Sequence, residues 1–277
     1  MNNDIENLIQ DKHKAETPSV PVIFDLTLED NQTKLRALFD DGLIRAVSDD
    51  FEEELREFFQ AKNPSKVYTP EFEPLFKEHV TNATKEHSLW QLGRWVYYPW
   101  LLTLVHVLEE HDFFIVRTAR NKNLINADEQ DKFYNATIGL AGLSVGSSVA
   151  LTTVLQGGGK KWKIADFDRL ALSNTNRIRA GVQNLGMLKT EVAARQMYEI
   201  NPYLEIELFS DGLTPGNVGR FFEGLSIVVD EIDNLALKYL IREHAQKNKL
   251  AVVMAADNGD NAVVDVERYD LDKNTPF

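Results

Sequence analysis

The sequence predicts an α/β fold: a doubly wound, mostly parallel sheet preceded by a mainly helical N-terminal domain. Three observations carry this expectation. From Ala136 onward, short apolar strands alternate with helix-length segments, the pattern of a parallel sheet with crossover helices. Glycines or acids follow several of those strands, where open sheets bind ligands. The charge is lopsided. Of a net −13 over 277 residues, positions 1–116 carry 11 Lys and Arg against 22 Asp and Glu, and positions 117–277 carry 19 against 21. Surfaces so different argue for two units, 1–115 and 116–277.

Residues 1–18 are polar and are expected to be loosely ordered. Val20–Leu26 reads as a strand. Leu28, Leu35, Leu38 and Phe39, then Phe51, Leu55, Phe58 and Phe59, recur at helical spacing. Asn63-Pro64 and Thr69-Pro70 interrupt them. A long apolar helix is predicted from Leu89 to Glu110, kinked at Pro99. In the second unit, strands are predicted at 136–142, 162–167, 204–208, 225–230, 250–255 and 262–269, and helices at 147–155, 188–200 and 235–247.

Composition excludes several classes. Mean hydropathy is −0.31, and no apolar run reaches the ~18–20 residues of a membrane span. The N-terminus, MNNDIENLIQ, is neither a signal peptide nor a basic transit peptide. Cysteine is absent, which rules out disulfides, Cys-ligated zinc, iron–sulfur clusters and a thiol nucleophile within this chain. That fits a cytoplasmic protein. The acidic balance disfavours nucleic acid as a partner.

The first strand–turn–helix of the second unit reads Gly139-Leu-Ala-Gly142-Leu-Ser144-Val-Gly146-Ser147-Ser148. Small residues let a phosphate approach N–H groups at a helix N-terminus. Ser144 stands where a middle glycine would allow the closest approach, and a plain tight turn is the alternative. Gly142–Gly146 also matches the G-x-S-x-G of hydrolases, with Asp230 or Asp233 and His244 in order behind it. His244 falls inside a helical pattern, which disfavours that reading.

Asp166-Phe-Asp168 ends the second strand. Asp166 comes 20 residues after Gly146, where an acid typically binds ribose hydroxyls. Asn176, Arg177 and Lys189 supply an amide and two cations suited to a triphosphate. A polar loop and a helix with an early lysine would look the same. Asp230-Glu231-Ile-Asp233-Asn234 follows a buried strand, and acids beside a triphosphate imply a bridging Mg²⁺. Helix N-capping is the other use for Asp233 or Asn234. His106 and His111 look metal-like, but five residues turn them about 140° apart on a helix.

Taken in order, ADFDRLALSNTNR, GMLK, INPYLEIELF and VVDEIDN resemble the ThiF/MoeB/HesA family, which is similar to the adenylation domain of ubiquitin-activating enzymes. Arg117-Thr-Ala-Arg120-Asn, with Gln130, is similar to that family's Arg-x-x-Arg-Gln segment. The resemblance implies a Rossmann-like fold that uses ATP and Mg²⁺ to adenylylate a carboxylate, often on a ubiquitin-like or carrier protein, with pyrophosphate released. It implies a homodimer in which Arg120 reaches the phosphates of ATP on the partner subunit. Asp166 would hold the ribose, with Asp168 also among the nucleotide-binding residues, Asn174, Arg177 and Lys189 would grip the phosphates, and Asp233 would hold the Mg²⁺.

The sequence departs from the family pattern in its shorter glycine loop, its missing cysteines and its stop at Phe277. These imply adenylylation without a thioester step in this chain, on either a unit cut short at its C-terminus or a divergent member of the family. The GLSVG loop and RWVYYPWLLTLVHVL are similar to bacterial proteins in which such a unit precedes a nitroreductase-like flavin domain. Two other readings stay open: an NAD- or FAD-binding module of a reductase, and a catalytically degenerate nucleotide-binding dimerisation module.

Overall fold

The computed structural model describes residues 5–7 and 17–276, so the expectation for residues 1–18 falls mostly outside the described residues. The chain divides into two units, Met1–Phe113 and Phe114–Phe277.

The first unit contains β1 (Val22–Phe24), α1 (Glu29–Asp40), β2 (Ala46–Asp49), α2 (Phe51–Lys62), α3 (Phe72–Ala83), β3 (Arg94–Tyr98) and β4 (Thr103–Val107). Its sheet runs β1-β3-β4-β2, with β2 parallel to β4 and the other pairs antiparallel. Helix outweighs strand in this unit, yet the sheet supplies much of a core cluster of Phe24, Leu26, Leu35, Trp95, Tyr97 and Leu104.

The helix expected over Leu89–Glu110 is corrected here. A short 3-10 turn at Leu89–Gln91 leads into the hairpin β3–β4. Arg-Trp-Val-Tyr-Tyr and Thr-Leu-Val-His-Val are rich in aromatic and β-branched residues that suit a pleated surface. Pro99 falls at the reversal between them. A short apolar run does not by itself distinguish buried strand from helix.

His106 on β4 is buried between the rings of Phe51 and Trp95, at 4.0 and 4.2 Å. Its Nδ1 meets Asp49 Oδ1 at 2.9 Å, and its Nε2 meets the Leu92 carbonyl at 2.8 Å. It is a core residue held by local partners. No group of three or more metal-capable side chains occurs among the described residues.

Glu54 on α2 accepts the Leu108 N–H at 2.9 Å. Burial pushes its carboxyl up from 4.5 to about 7; the Leu108 bond opposes this, and Asp50, Glu57 and Asp49 add to it. The folded value lies above the unfolded one. Its stabilising contribution is therefore complete below about pH 4.5 and is lost as pH rises through about 7. Glu54→Gln keeps an acceptor and removes the charge. Thermal melts of this variant are expected to match the wild type near pH 4.5 and to exceed it near pH 8; equal midpoints near pH 8 would refute the assignment.

The second unit continues from α4 (Glu110–Thr118), which contains the division point, into α5 (Ala127–Tyr134), β5 (Thr137–Ala141), α6 (Gly146–Leu155), β6 (Lys161–Ala165) and α7 (Lys189–Ile200). Then come β7 (Glu205–Phe209), α8 (Val218–Phe222), β8 (Ile227–Asp230), α9 (Leu235–Asn248), β9 (Ala251–Asn258) and β10 (Asn261–Arg268). The sheet order is β10-β9-β8-β5-β6-β7, parallel throughout except for β10. This is the expected doubly wound Rossmann-like sheet.

One large core cluster includes Phe209 of β7, Phe221 and Phe222 of α8, Val228 of β8, Ile241 and Ala245 of α9, and Val252 of β9. The chain leaves β5 toward β6 on one side, while β8 pairs on the other. That switch point, at the carboxyl ends of β5 and β8, is where such sheets bind ligands. Among the described residues no helix is long and apolar enough to cross a membrane.

Candidate functional site

The site grows from the end of β5. Gly142 donates to the Ala165 carbonyl at 2.8 Å, and Glu231 donates to the Ala141 carbonyl at 2.8 Å. The ends of β5, β6 and β8 are thereby tied together. Gly142 has φ +91°, and a Cβ there would lie 2.4 Å from the Glu231 carbonyl oxygen. Only glycine combines that conformation with that approach. Gly146 opens α6, and a Cβ on it would sit 2.9 Å from Leu140 Cδ1. No side chain caps α6. The Gly146 and Ser147 N–H groups keep their capacity for an external acceptor, while Ser148 N–H donates to the Val145 carbonyl at 2.9 Å. Ser147 is buried and donates to the Ser144 carbonyl at 3.3 Å.

Asp166 braces the same loop. Its Oδ2 accepts the Leu143 N–H at 2.7 Å and its Oδ1 the Asp168 N–H at 2.8 Å. Each carboxylate oxygen keeps a further lone-pair site for a ligand hydroxyl. Asp168 in turn receives Lys189 Nζ at 2.7 Å and Lys189 N–H through its carbonyl at 2.9 Å. Lys189, the first residue of α7, is only 7% exposed. It lines a cavity of about 10 Å³ with Leu143, Ser147, Leu170 and Ile178. Its charge is therefore paired and stationary. Asn174 Oδ1 accepts the Ala171 N–H at 3.0 Å, closing the turn before Arg177.

Arg177 reaches back across 33 positions to the glycine loop, where its Nε donates to Ser144 Oγ at 2.9 Å. Its Nη1 donates to Asn176 Oδ1 at 2.9 Å. Ser144 thus faces a guanidinium, while His244 packs on Phe222 at 5.3 Å. This does not suit a Ser–Asp–His hydrolase.

Beyond β8, Asp230 is wholly buried and paired with Arg242, with Lys238 at 3.3 Å. It also accepts the Ile232 N–H at 3.1 Å, which shapes the turn toward Asp233. Asn234 is the N-cap of α9, accepting the Leu237 N–H at 3.1 Å. The capping role falls to Asn234, and Asp233 keeps an exposed carboxylate with no hydrogen-bond or ion-pair partner among the described residues. One free carboxylate cannot cage a cation. It fits Mg²⁺, which usually takes one or two protein carboxylates together with phosphate oxygens and water.

Arg120 is not brought to this cluster. It lies in a 3-10 turn, Ala119–Asn123, anchored at the far end of α6. Arg117 donates to the Val154 carbonyl at 2.9 Å, Asn121 to the Gln156 carbonyl at 3.0 Å, and Gln130 to the Gly157 carbonyl at 3.1 Å. The 10 residues of α6 span about 15 Å, more than an arginine side chain reaches.

One participant, Arg242, was missed in the sequence, and two that the motifs contained, Asn176 and Glu231, act through their neighbours. Asn176 holds Arg177. Glu231 packs its stem against Gly146 and accepts the Ala255 N–H at 3.1 Å, and burial raises its carboxyl above the ordinary range. Arg242 holds Asp230. The available signal was a charged residue on the same helix face as Ile241 and Ala245, both buried.

Residues 118–266 match the ThiF family. The chain is 40% identical over 184 residues to "Uncharacterized protein MT1398" of Mycobacterium tuberculosis, covering 66% of this chain and 26% of that one. It is 31% identical over 129 residues to the tRNA threonylcarbamoyladenosine dehydratase of Escherichia coli, covering 46% and 48%. It is 28% identical over 122 residues to the probable adenylyltransferase/sulfurtransferase MoeZ of Mycobacterium tuberculosis, covering 44% and 31%. The chain thus spans between 26% and 48% of the length of these curated relatives. The matched span runs from the turn that carries Arg120 to the last strand of the sheet, more than half of the sequence, and on that ground the chain belongs to the ThiF family.

Proposed function

We propose that the second unit binds ATP at the switch point and adenylylates a carboxylate, without a thioester step in this chain. The observation that carries this reading is the contact between Arg177 and Ser144, which sets a guanidinium on the glycine loop. A simple dinucleotide site has no need of a cation at this position. The kinship with a probable adenylyltransferase supports the same chemistry.

In the proposed reaction a carboxylate oxygen attacks the α-phosphorus, the bond to the bridging oxygen breaks, and pyrophosphate leaves. The attacking group is already ionised, so no general base is required. Asp166 would receive the ribose, and N–H groups of the loop between Ser144 and Ser147 the phosphates. Arg177 would offset charge on the departing pyrophosphate, while Lys189, already paired with Asp168, would hold the segment after β6 in place. Mg²⁺, when held by Asp233, supplies further neutralisation of the phosphates. Alignment and charge compensation then account for most of the acceleration. The anchoring of Arg120 at the far end of α6 supports a homodimer in which it serves the other copy. The acyl substrate is proposed to be the carboxylate of a small ubiquitin-like or carrier protein, in a cytoplasmic setting.

Calorimetry with ATP and NAD side by side tests this reading. ATP is expected to bind and NAD not to. Arg177→Ala is expected to weaken ATP binding about tenfold or more. Asp233→Ala is expected to remove the gain that Mg²⁺ gives while leaving Mg²⁺-free ATP binding intact. Preference for NAD, or an unchanged Mg²⁺ response in Asp233→Ala, would overturn the respective assignment.

A further inference from the structure

The loop that departs from the family pattern contains its own compensation. Where a middle glycine would let phosphate come close to backbone, this chain has Ser144, and the Ser144 hydroxyl accepts Arg177 Nε at 2.9 Å. On the adjacent edge, Nη1 donates to Asn176 Oδ1 at 2.9 Å and approaches the Ser173 carbonyl at 3.4 Å. Nη2 has no hydrogen-bond partner among the described residues.

The base of the side chain is fixed as well. Arg177 N–H donates to the Asn174 carbonyl at 3.1 Å, Ile178 N–H donates to the same carbonyl at 2.9 Å, and Ile178 is buried. An exposed arginine would ordinarily sample many rotamers and lose that freedom on binding. Here the guanidinium plane is set in advance, with one nitrogen left to donate.

We infer that Ser144 and Asn176 are positioning residues: they hold two edges of the Arg177 guanidinium so that Nη2 is presented to a nucleotide polyphosphate over the glycine loop. A planar guanidinium held this way gives directional donors to phosphate oxygens, and the ordering cost is met before the ligand arrives. The shorter loop gives up one backbone approach and gains a fixed cation. This rests on the ATP reading, and it adds that affinity for the β- and γ-phosphates depends on a hydroxyl that never touches them.

The test is a calorimetric double-mutant cycle with ATP and AMP, using wild type, Ser144→Ala, Ser144→Thr, Arg177→Ala and the Ser144→Ala/Arg177→Ala pair. Ser144→Ala is expected to weaken ATP about five- to tenfold and AMP less than about twofold. Ser144→Thr is expected to restore ATP affinity, because the hydroxyl returns. In the Arg177→Ala background, Ser144→Ala is expected to have no further effect. Equal losses for ATP and AMP, no rescue by threonine, or additive losses would overturn the positioning role. Retained ATP binding with an unaffected Ser144→Ala sinks this inference alone. Absence of ATP binding by the wild type sinks the adenylylation reading together with it.

Discussion

Gly142→Ala is expected to destabilise the second unit by about 3–5 kcal/mol and to abolish nucleotide binding. Two costs add at this position. The φ of +91° is one that a side chain resists, and the new Cβ would lie 2.4 Å from the Glu231 carbonyl oxygen and 2.6 Å from its carbon. Neither backbone can give way, because Gly142 and Glu231 are tied into the ladder on both sides of β5. Gly186→Ala separates the two costs. Gly186 has φ +84° with nothing within 4 Å of its missing Cβ, so its variant carries strain without a clash. Denaturant midpoints are the measurement. A Gly142→Ala loss no larger than that of Gly186→Ala would mean that the approach of Glu231 is not limiting.

Arg242→Met is expected to cost a similar amount, about 3–5 kcal/mol, through charge and not shape. Arg242 is 2% exposed and stands between Asp230, at 0%, and Glu267, at 4%. Its removal strands two buried carboxyls, with Lys238 the remaining cation on Asp230. Burial already raises Glu267 above its ordinary value, against the pull of Arg242. Without the arginine the folded value rises further. The deficit is therefore smallest below the unfolded value of about 4.5 and grows as pH rises through the folded one. Adding Glu267→Gln to Arg242→Met is expected to recover part of the loss at neutral pH. A double variant no more stable than Arg242→Met would show that stranded charge is not the cause.

The six strands of the second unit and the helices α6, α7 and α9 were legible because each announces itself locally, whereas the short helices α4, α5 and α8 were not predicted. Leu204, Ile206 and Leu208 alternate, and Val192, Ala193 and Met197 fall on one helical face that the structure buries. The first unit was less so. The run through Arg94–Val107 is apolar enough to suit either a helix or two strands, and pairing between β3 and β4 decided it. β2 has every residue exposed and so carries no alternation to read.

At the site, the residue types that suit a nucleotide were readable, while their mutual arrangement was not. Nothing local says that Lys189 will be spent on Asp168, or that Ser144 will face Arg177. The Ser144–Arg177 pairing joins the loop after β5 to the segment after β6, which meet only once the two strands lie side by side.

The anchoring of the Arg120 turn at the far end of α6 makes abundance part of the proposed chemistry. A single copy carries both the arginine and the loop but keeps them apart along a rigid helix. If the proposed homodimer is the working unit, its output would depend on pairing, and pairing follows mass action. In dilute solution the output would rise with the square of chain concentration, becoming linear once pairing saturates. The concentration at the crossover would read out the dimer dissociation constant without any structural probe.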